Sequence, residues 1–125
     1  MIKYIPEETS IVFSEIPEEV TLAINISGCL NNCPGCHSPY LREDIGDELT
    51  SDILEDLITK NSGISCVCFM GEGKDKEALL SLAHEIKQVY PNLHIALYSG
   101  RCEVESEFDN YFDYIIFESY FFSYY

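Results

Sequence analysis

Basic side chains are scarce in this chain. Seven Lys and Arg stand against 22 Asp and Glu, a formal net charge of −15. Nucleic acid and anionic membrane surfaces both require a basic face, so that balance argues against either as a partner. Most of the acidic residues read as a solvated surface. No apolar run reaches the length of a membrane span, and Met1-Ile2-Lys3-Tyr4-Ile5-Pro6-Glu7-Glu8 turns acidic where a secretory signal would be apolar. The expected location is therefore the cytoplasm. Internal repeats and low-complexity linkers are also missing, so residues 1–125 read as a single domain.

A cytoplasmic chain has no use for a disulfide framework, yet six cysteines are present. They are unevenly spread. Cys29, Cys33 and Cys36 crowd one segment, while Cys66, Cys68 and Cys102 lie far downstream.

The hydrophobic pattern places that segment. Residues 10–13 form a short extended piece, and the acidic, Pro-containing run 15–19 turns the chain. Residues 20–26 (VTLAINI) read as a strand, ended by Ser27-Gly28. Thr50 is an N-cap for a helix over 51–60, with Ile53, Leu54, Leu57 and Ile58 as its apolar stripe. Asn61-Ser62-Gly63 stops it. The continuous apolar run 64–70 (ISCVCFM) has the character of a strand covered on both faces. Asp75 caps a second helix to about Tyr90, whose buried face is expected to carry Leu79, Leu82, Ala83, Ile86 and Val89. Strands follow at 94–98 and 114–117, with a short, weak helix between 103 and 110.

Strand, loop with helix, strand, helix, strand, short helix, strand implies βαβ units and a largely parallel sheet. Four such strands are too few for a closed eight-stranded barrel, so an open or half βα barrel is expected. Ligands of such sheets bind at the carboxyl ends of the strands. Ser27 to His37, Gly71 to Gly73 and Ser99 to Arg101 all fall at those ends and should face one crevice.

The first of these segments reads Gly28-Cys29-Leu30-Asn31-Asn32-Cys33-Pro34-Gly35-Cys36-His37. Three thiols spaced C-x3-C-x2-C can converge, once deprotonated, on one metal centre. Three thiolates on a four-iron cubane leave one iron open to an external ligand, whereas four would close it. Other readings compete. Structural zinc needs a fourth local ligand, and His37 would have to bend back beside Cys36. Cys33-Pro34-Gly35-Cys36 alone is a C-x-x-C redox motif, which leaves Cys29 without a role. Buried inert thiols fit poorly in a loop rich in Asn, Pro and Gly. Cys66 and Cys68 alternate on one strand and so share a face, where they read as small core residues. His84 and His94 carry no partner pattern and read as structural or surface groups.

The stretch from Ile24 to Cys29, continued by Cys33-Pro34-Gly35-Cys36-His37-Ser38-Pro39-Tyr40-Leu41, resembles the cluster loop of radical S-adenosylmethionine (SAM) enzymes. It looks most like the glycyl-radical activases among them, those of the anaerobic ribonucleoside-triphosphate reductase in particular. Phe69-Met70-Gly71-Glu72-Gly73 and Ala96-Leu97-Tyr98-Ser99-Gly100-Arg101 look like that family's second and third conserved stretches. The resemblance runs from about residue 11 to about residue 115.

The resemblance implies that Cys29, Cys33 and Cys36 hold a [4Fe-4S] cluster whose open iron is chelated by SAM. It further implies that Gly35, Cys36, His37, Gly71, Glu72, Gly73 and Ser99 line the SAM site. On the same resemblance the SAM ammonium is expected at the Gly71-Glu72-Gly73 turn, and the adenine near His37. The implied activity is reductive cleavage of SAM to install a glycyl radical on the reductase, with a flavodoxin- or ferredoxin-like protein as electron donor. Activation of another glycyl-radical enzyme, or radical chemistry on a small molecule, satisfies the same motifs. So does a non-catalytic iron–sulfur or zinc module. The ending departs from the family: five of the last eight residues are aromatic. The expected fold is thus a half barrel shortened at its C-terminus, with 116–125 as an atypical tail.

Overall fold

The computed structural model describes residues 2–12, 18–27, 46–72, 75–99 and 105–117. In chain order these form β1 (Lys3–Tyr4), β2 (Ser10–Val12), β3 (Thr21–Asn25), β4 (Asp47–Glu48), α1 (Ser51–Lys60), β5 (Cys66–Met70), α2 (Lys76–Val89), β6 (His94–Ser99) and β7 (Tyr114–Phe117). Short 3-10 helices at Pro6–Glu8 and Ser106–Asn110 complete them.

One five-stranded sheet carries the fold, in the order β2-β3-β5-β6-β7. β3, β5, β6 and β7 run parallel, and β2 pairs antiparallel at the edge. The parallel core agrees with the βαβ alternation in the sequence. β2 was foreseen only as an extended piece, and its pairing partner was not foreseen. A separate two-stranded sheet, β1 with β4, was not foreseen at all.

Alternation sorts the strand residues onto two faces. Leu22, Ile24, Val67, Phe69, Ile95, Leu97 and Ile115 join the helices in the main core. Cys66, Cys68, Ala96 and Ile116 form a smaller cluster on the other face, with Met70, Tyr98 and Tyr114 against it. Burying one Leu or Phe of the main core is worth about 1.5–3 kcal/mol. Phe112 stands edge-on to Phe69 at 6.4 Å and tilted against Phe108 at 6.0 Å, which closes the core under the 3-10 helix.

Both α-helices start as their sequences dictate. Thr50 Oγ1 accepts from the Ile53 N–H at 3.2 Å, and Asp75 Oδ1 accepts from the Ala78 N–H at 3.1 Å. α1 buries Leu54 and Ile58. α2 buries Leu79, Leu80, Leu82, Ala83 and Ile86, but Val89 is 52% exposed. At 3.6 residues per turn the stripe passes from Ile86 to Tyr90, which packs against the core, and leaves Val89 outside it. Of the segment between 103 and 110, the described residues form the 3-10 helix Ser106–Asn110. Among the described residues no helix is long and apolar enough to cross a membrane.

Candidate functional site at the carboxyl edge of the sheet

Parallel pairing brings the carboxyl ends of the central strands to one edge. Asn25 of β3 pairs with Met70 of β5, and Met70 with Tyr98 of β6. The ladder continues past the strand ends: Ile26 N donates to Met70 O at 3.1 Å, and Gly71 N donates to Tyr98 O at 2.9 Å. Ser27, Glu72 and Ser99 therefore leave the sheet side by side.

Glu72 and Ser99 meet there. The Ser99 hydroxyl donates to Glu72 Oε2 at 2.5 Å, with Ser99 fully buried and Glu72 only 9% exposed. A carboxylate taken that far from water needs donors, since an unpaired buried charge is costly. Gly71 makes the turn possible. Its φ of +115° is open to glycine, and a Cβ there would stand 3.3 Å from Ile26 O. The turn read from the sequence as Gly71-Glu72-Gly73 thus presents a held carboxylate beside the foot of the cysteine loop.

That loop begins directly after Ser27, which is 3% exposed. Gly28, Cys29, Cys33, Gly35, Cys36 and His37 lie outside the described residues, as do Gly73, Gly100, Arg101 and Cys102. The chemistry of the donor set bears on which group the loop suits. Cys66 and Cys68 have no exposed surface at all and sit within the sheet. Burial, reinforced by the Glu19 charge, pushes the Cys66 thiol up to about 12, which disfavours the thiolate. Cys68 Sγ lies 3.6 Å from Met70 Sδ. Among the described residues no group of three His, Cys, Asp or Glu is placed to hold a metal ion. Both described cysteines are thus core residues rather than candidate ligands. Three soft thiolates fit a four-iron cluster with one iron open.

A second polar cluster escaped the sequence reading. It sits at the opposite, amino end of the sheet. Glu19, 8% exposed, accepts hydrogen bonds from Ser65 Oγ at 2.5 Å, His94 Nδ1 at 2.5 Å and Tyr114 OH at 2.8 Å. Ser65 Oγ in turn accepts from Val20 N at 3.0 Å. Burial acts to raise the Glu19 carboxyl, but the bonds from Ser65, Tyr114 and His94 outweigh it and hold it below the usual glutamate range. The bond to Glu19 and burial together push Tyr114 up to about 12. This cluster ties the starts of β3, β5, β6 and β7 together at the end opposite Ser27, Glu72 and Ser99. A buried Glu after a Pro-containing turn carries no motif, and its partners are distant in sequence.

The model of a family described as a 4Fe-4S single cluster domain matches residues 18–112, which takes in the whole cysteine loop and most of the sheet. No curated protein and no solved structure matches the chain.

Proposed function

The chain belongs to the 4Fe-4S single cluster domain family, and from that premise we propose that it is a radical SAM activase that generates a glycyl radical on anaerobic ribonucleoside-triphosphate reductase. One observation carries the reading. The three-cysteine loop springs from the carboxyl end of β3, beside a carboxylate that Ser99 holds at the end of β5. A closed electron-transfer cluster needs a fourth thiolate, which neither Cys66 nor Cys68 is exposed to supply, and has no use for that carboxylate. A cluster that binds SAM needs an open iron and an acceptor for the SAM ammonium.

In this reading Cys29, Cys33 and Cys36 would hold the cluster, which when bound would supply the electron for reductive cleavage of SAM and thereby for hydrogen abstraction from a glycine of the partner. Glu72 accepts from the SAM ammonium, and its bond from Ser99 fixes the carboxylate before SAM arrives. Gly71 keeps backbone rather than side chain at the closest approach. Gly35, His37 and Gly73 line the same pocket, with His37 near the adenine. The sheet curves as a half βα barrel, and its carboxyl edge receives the glycine loop of the reductase. A flavodoxin- or ferredoxin-like protein delivers the electron. Anaerobic reconstitution, then incubation with SAM and dithionite, tests the activity through 5′-deoxyadenosine. Adding the reductase and recording a glycyl-radical signal by electron paramagnetic resonance (EPR) tests the partner.

A further inference from the structure

The cysteine loop leaves the sheet at Ser27 and returns at Gly46, and the N-terminal segment passes between those two feet. On one side Ile5 N donates to Asn25 O at 3.1 Å, Ser27 N donates to Lys3 O at 3.0 Å, and Tyr4 bridges Ile26 in antiparallel fashion. On the other side Leu49 N donates to Ile2 O at 2.9 Å, and β1 pairs with β4 in the register Lys3 with Glu48 and Tyr4 with Asp47. Both edges of the same four residues are thus occupied. The side chains of Ile2, Tyr4 and Ile5 are buried in addition. β4 pairs with no strand of the main sheet among the described residues, so β1 is its one strand partner there.

Gly46 is where the return foot crosses this segment. Its φ is +94°, and a Cβ on it would lie within 2.1 Å of Tyr4 O and 2.9 Å of Tyr4 C. Real Cβ atoms do not come that close to backbone, and backbone cannot swing away as a side-chain tip does. Any residue but glycine must push the segment off the foot.

We propose that residues 2–5 are a strap that sets the span of the cluster loop, and that Gly46 is the positioning residue that lets the strap pass. This rests on the reading that Cys29, Cys33 and Cys36 hold the cluster. A chain extends at most about 3.5 Å per residue, so fixing Ser27 confines the Cα of Cys29 to within about 7 Å of it. Fixing the other foot at Gly46 to Leu49 removes the freedom of the far end. Three thiolates then meet at a lower entropic cost than in a loop anchored at one end.

The structure supplies a matched control. Gly63, in the turn after α1, has a φ of +96° but no atom within 4 Å of a Cβ. Gly63→Ala carries the same backbone strain as Gly46→Ala without the clash. The first measurement is amide hydrogen exchange on the cluster-free proteins. Gly46→Ala is expected to speed exchange at Ser27 and Leu49 by about tenfold, the effect of losing roughly one hydrogen bond's worth of protection, while Gly63→Ala leaves both near wild type. Equal rates in the two variants would overturn the strap. The second measurement is iron loss to a chelator after anaerobic reconstitution. Gly46→Ala is expected to release iron several-fold faster than Gly63→Ala, and equal release would overturn the strap's role at the cluster. Should Gly46→Ala not fold, Ile2→Ala takes its place, because it trims a buried strap side chain without a backbone clash. A wild-type chain that takes up no iron and sulfide would instead sink the cluster reading, while the exchange rates still decide the strap.

Discussion

Ser99 holds Glu72 across 2.5 Å at the carboxyl edge of the sheet, joining the ends of β6 and β5 next to the point where the cysteine loop begins. The bond joins residues 27 positions apart in sequence and places a carboxylate with little solvent where the proposed function needs an acceptor. Glu72→Ala should therefore leave cluster content unchanged and weaken SAM binding. Loss of one charge-assisted bond, about 1.5–3 kcal/mol, corresponds to about ten- to a hundredfold in affinity. Ser99→Ala should weaken binding less, because the carboxylate remains and only its orientation is lost. Equilibrium binding of SAM to the reconstituted variants, with iron analysis alongside, checks both.

The proposed function divides five of the six cysteines into two classes. Ala at Cys29, Cys33 or Cys36 should abolish the cluster, since two thiolates leave a second iron open. Ser at Cys66 or Cys68 should keep the cluster and SAM cleavage, at a cost of about 1–3 kcal/mol for a hydroxyl on a buried face. Iron and sulfide analysis with thermal unfolding separates the two classes. A cluster that needs Cys66 or Cys68 but not all three loop thiols would be a closed four-thiolate centre.

Cys66 and Cys68 should also resist alkylation in the folded protein. Both lack exposed surface, and Cys66 stays protonated far above neutral pH. Iodoacetamide under native conditions, followed by mass spectrometry, should find these two unmodified until denaturant is added.

Glu19 gives the fold an acid-sensitive point. Its carboxyl titrates lower in the folded chain than in the unfolded one. Its contribution is therefore fully present above the unfolded glutamate value of about 4.3 and is lost as pH falls through the lower folded value. Glu19→Gln should be less stable than wild type at pH 6 to 7, and the gap should narrow below about pH 4. Denaturant melts across that range check the sign. A gap that widens in acid would contradict it.

Much of the framework was legible in the sequence because periodicity reports burial. The run 64–70 and the stripe Ile53, Leu54, Leu57 and Ile58 named β5 and α1 directly. Val89 misled because it follows Ile86 by three residues, where Tyr90 at four stays under the stripe. β1 and β4 were invisible for a different reason. Two-residue strands have no period, and Asp47–Glu48 has no strand propensity. Their pairing comes from the backbone of residues 2–5 and from the glycine at position 46. The Glu19 cluster was equally hidden: its donors lie 46, 75 and 95 residues downstream, and only the parallel register brings Ser65, His94 and Tyr114 together. At the candidate site, the turn Gly71–Glu72 was readable as a motif. That Ser99 serves Glu72 is a fact of the tertiary structure alone.

The most direct measurement is 5′-deoxyadenosine formation by the anaerobically reconstituted chain with SAM and dithionite, run beside the Cys36→Ala variant. The account predicts product from the wild type, none from the variant, and sulfide with iron only in the former. One equivalent of zinc without sulfide, or a full iron–sulfur cluster that leaves SAM intact, would contradict it.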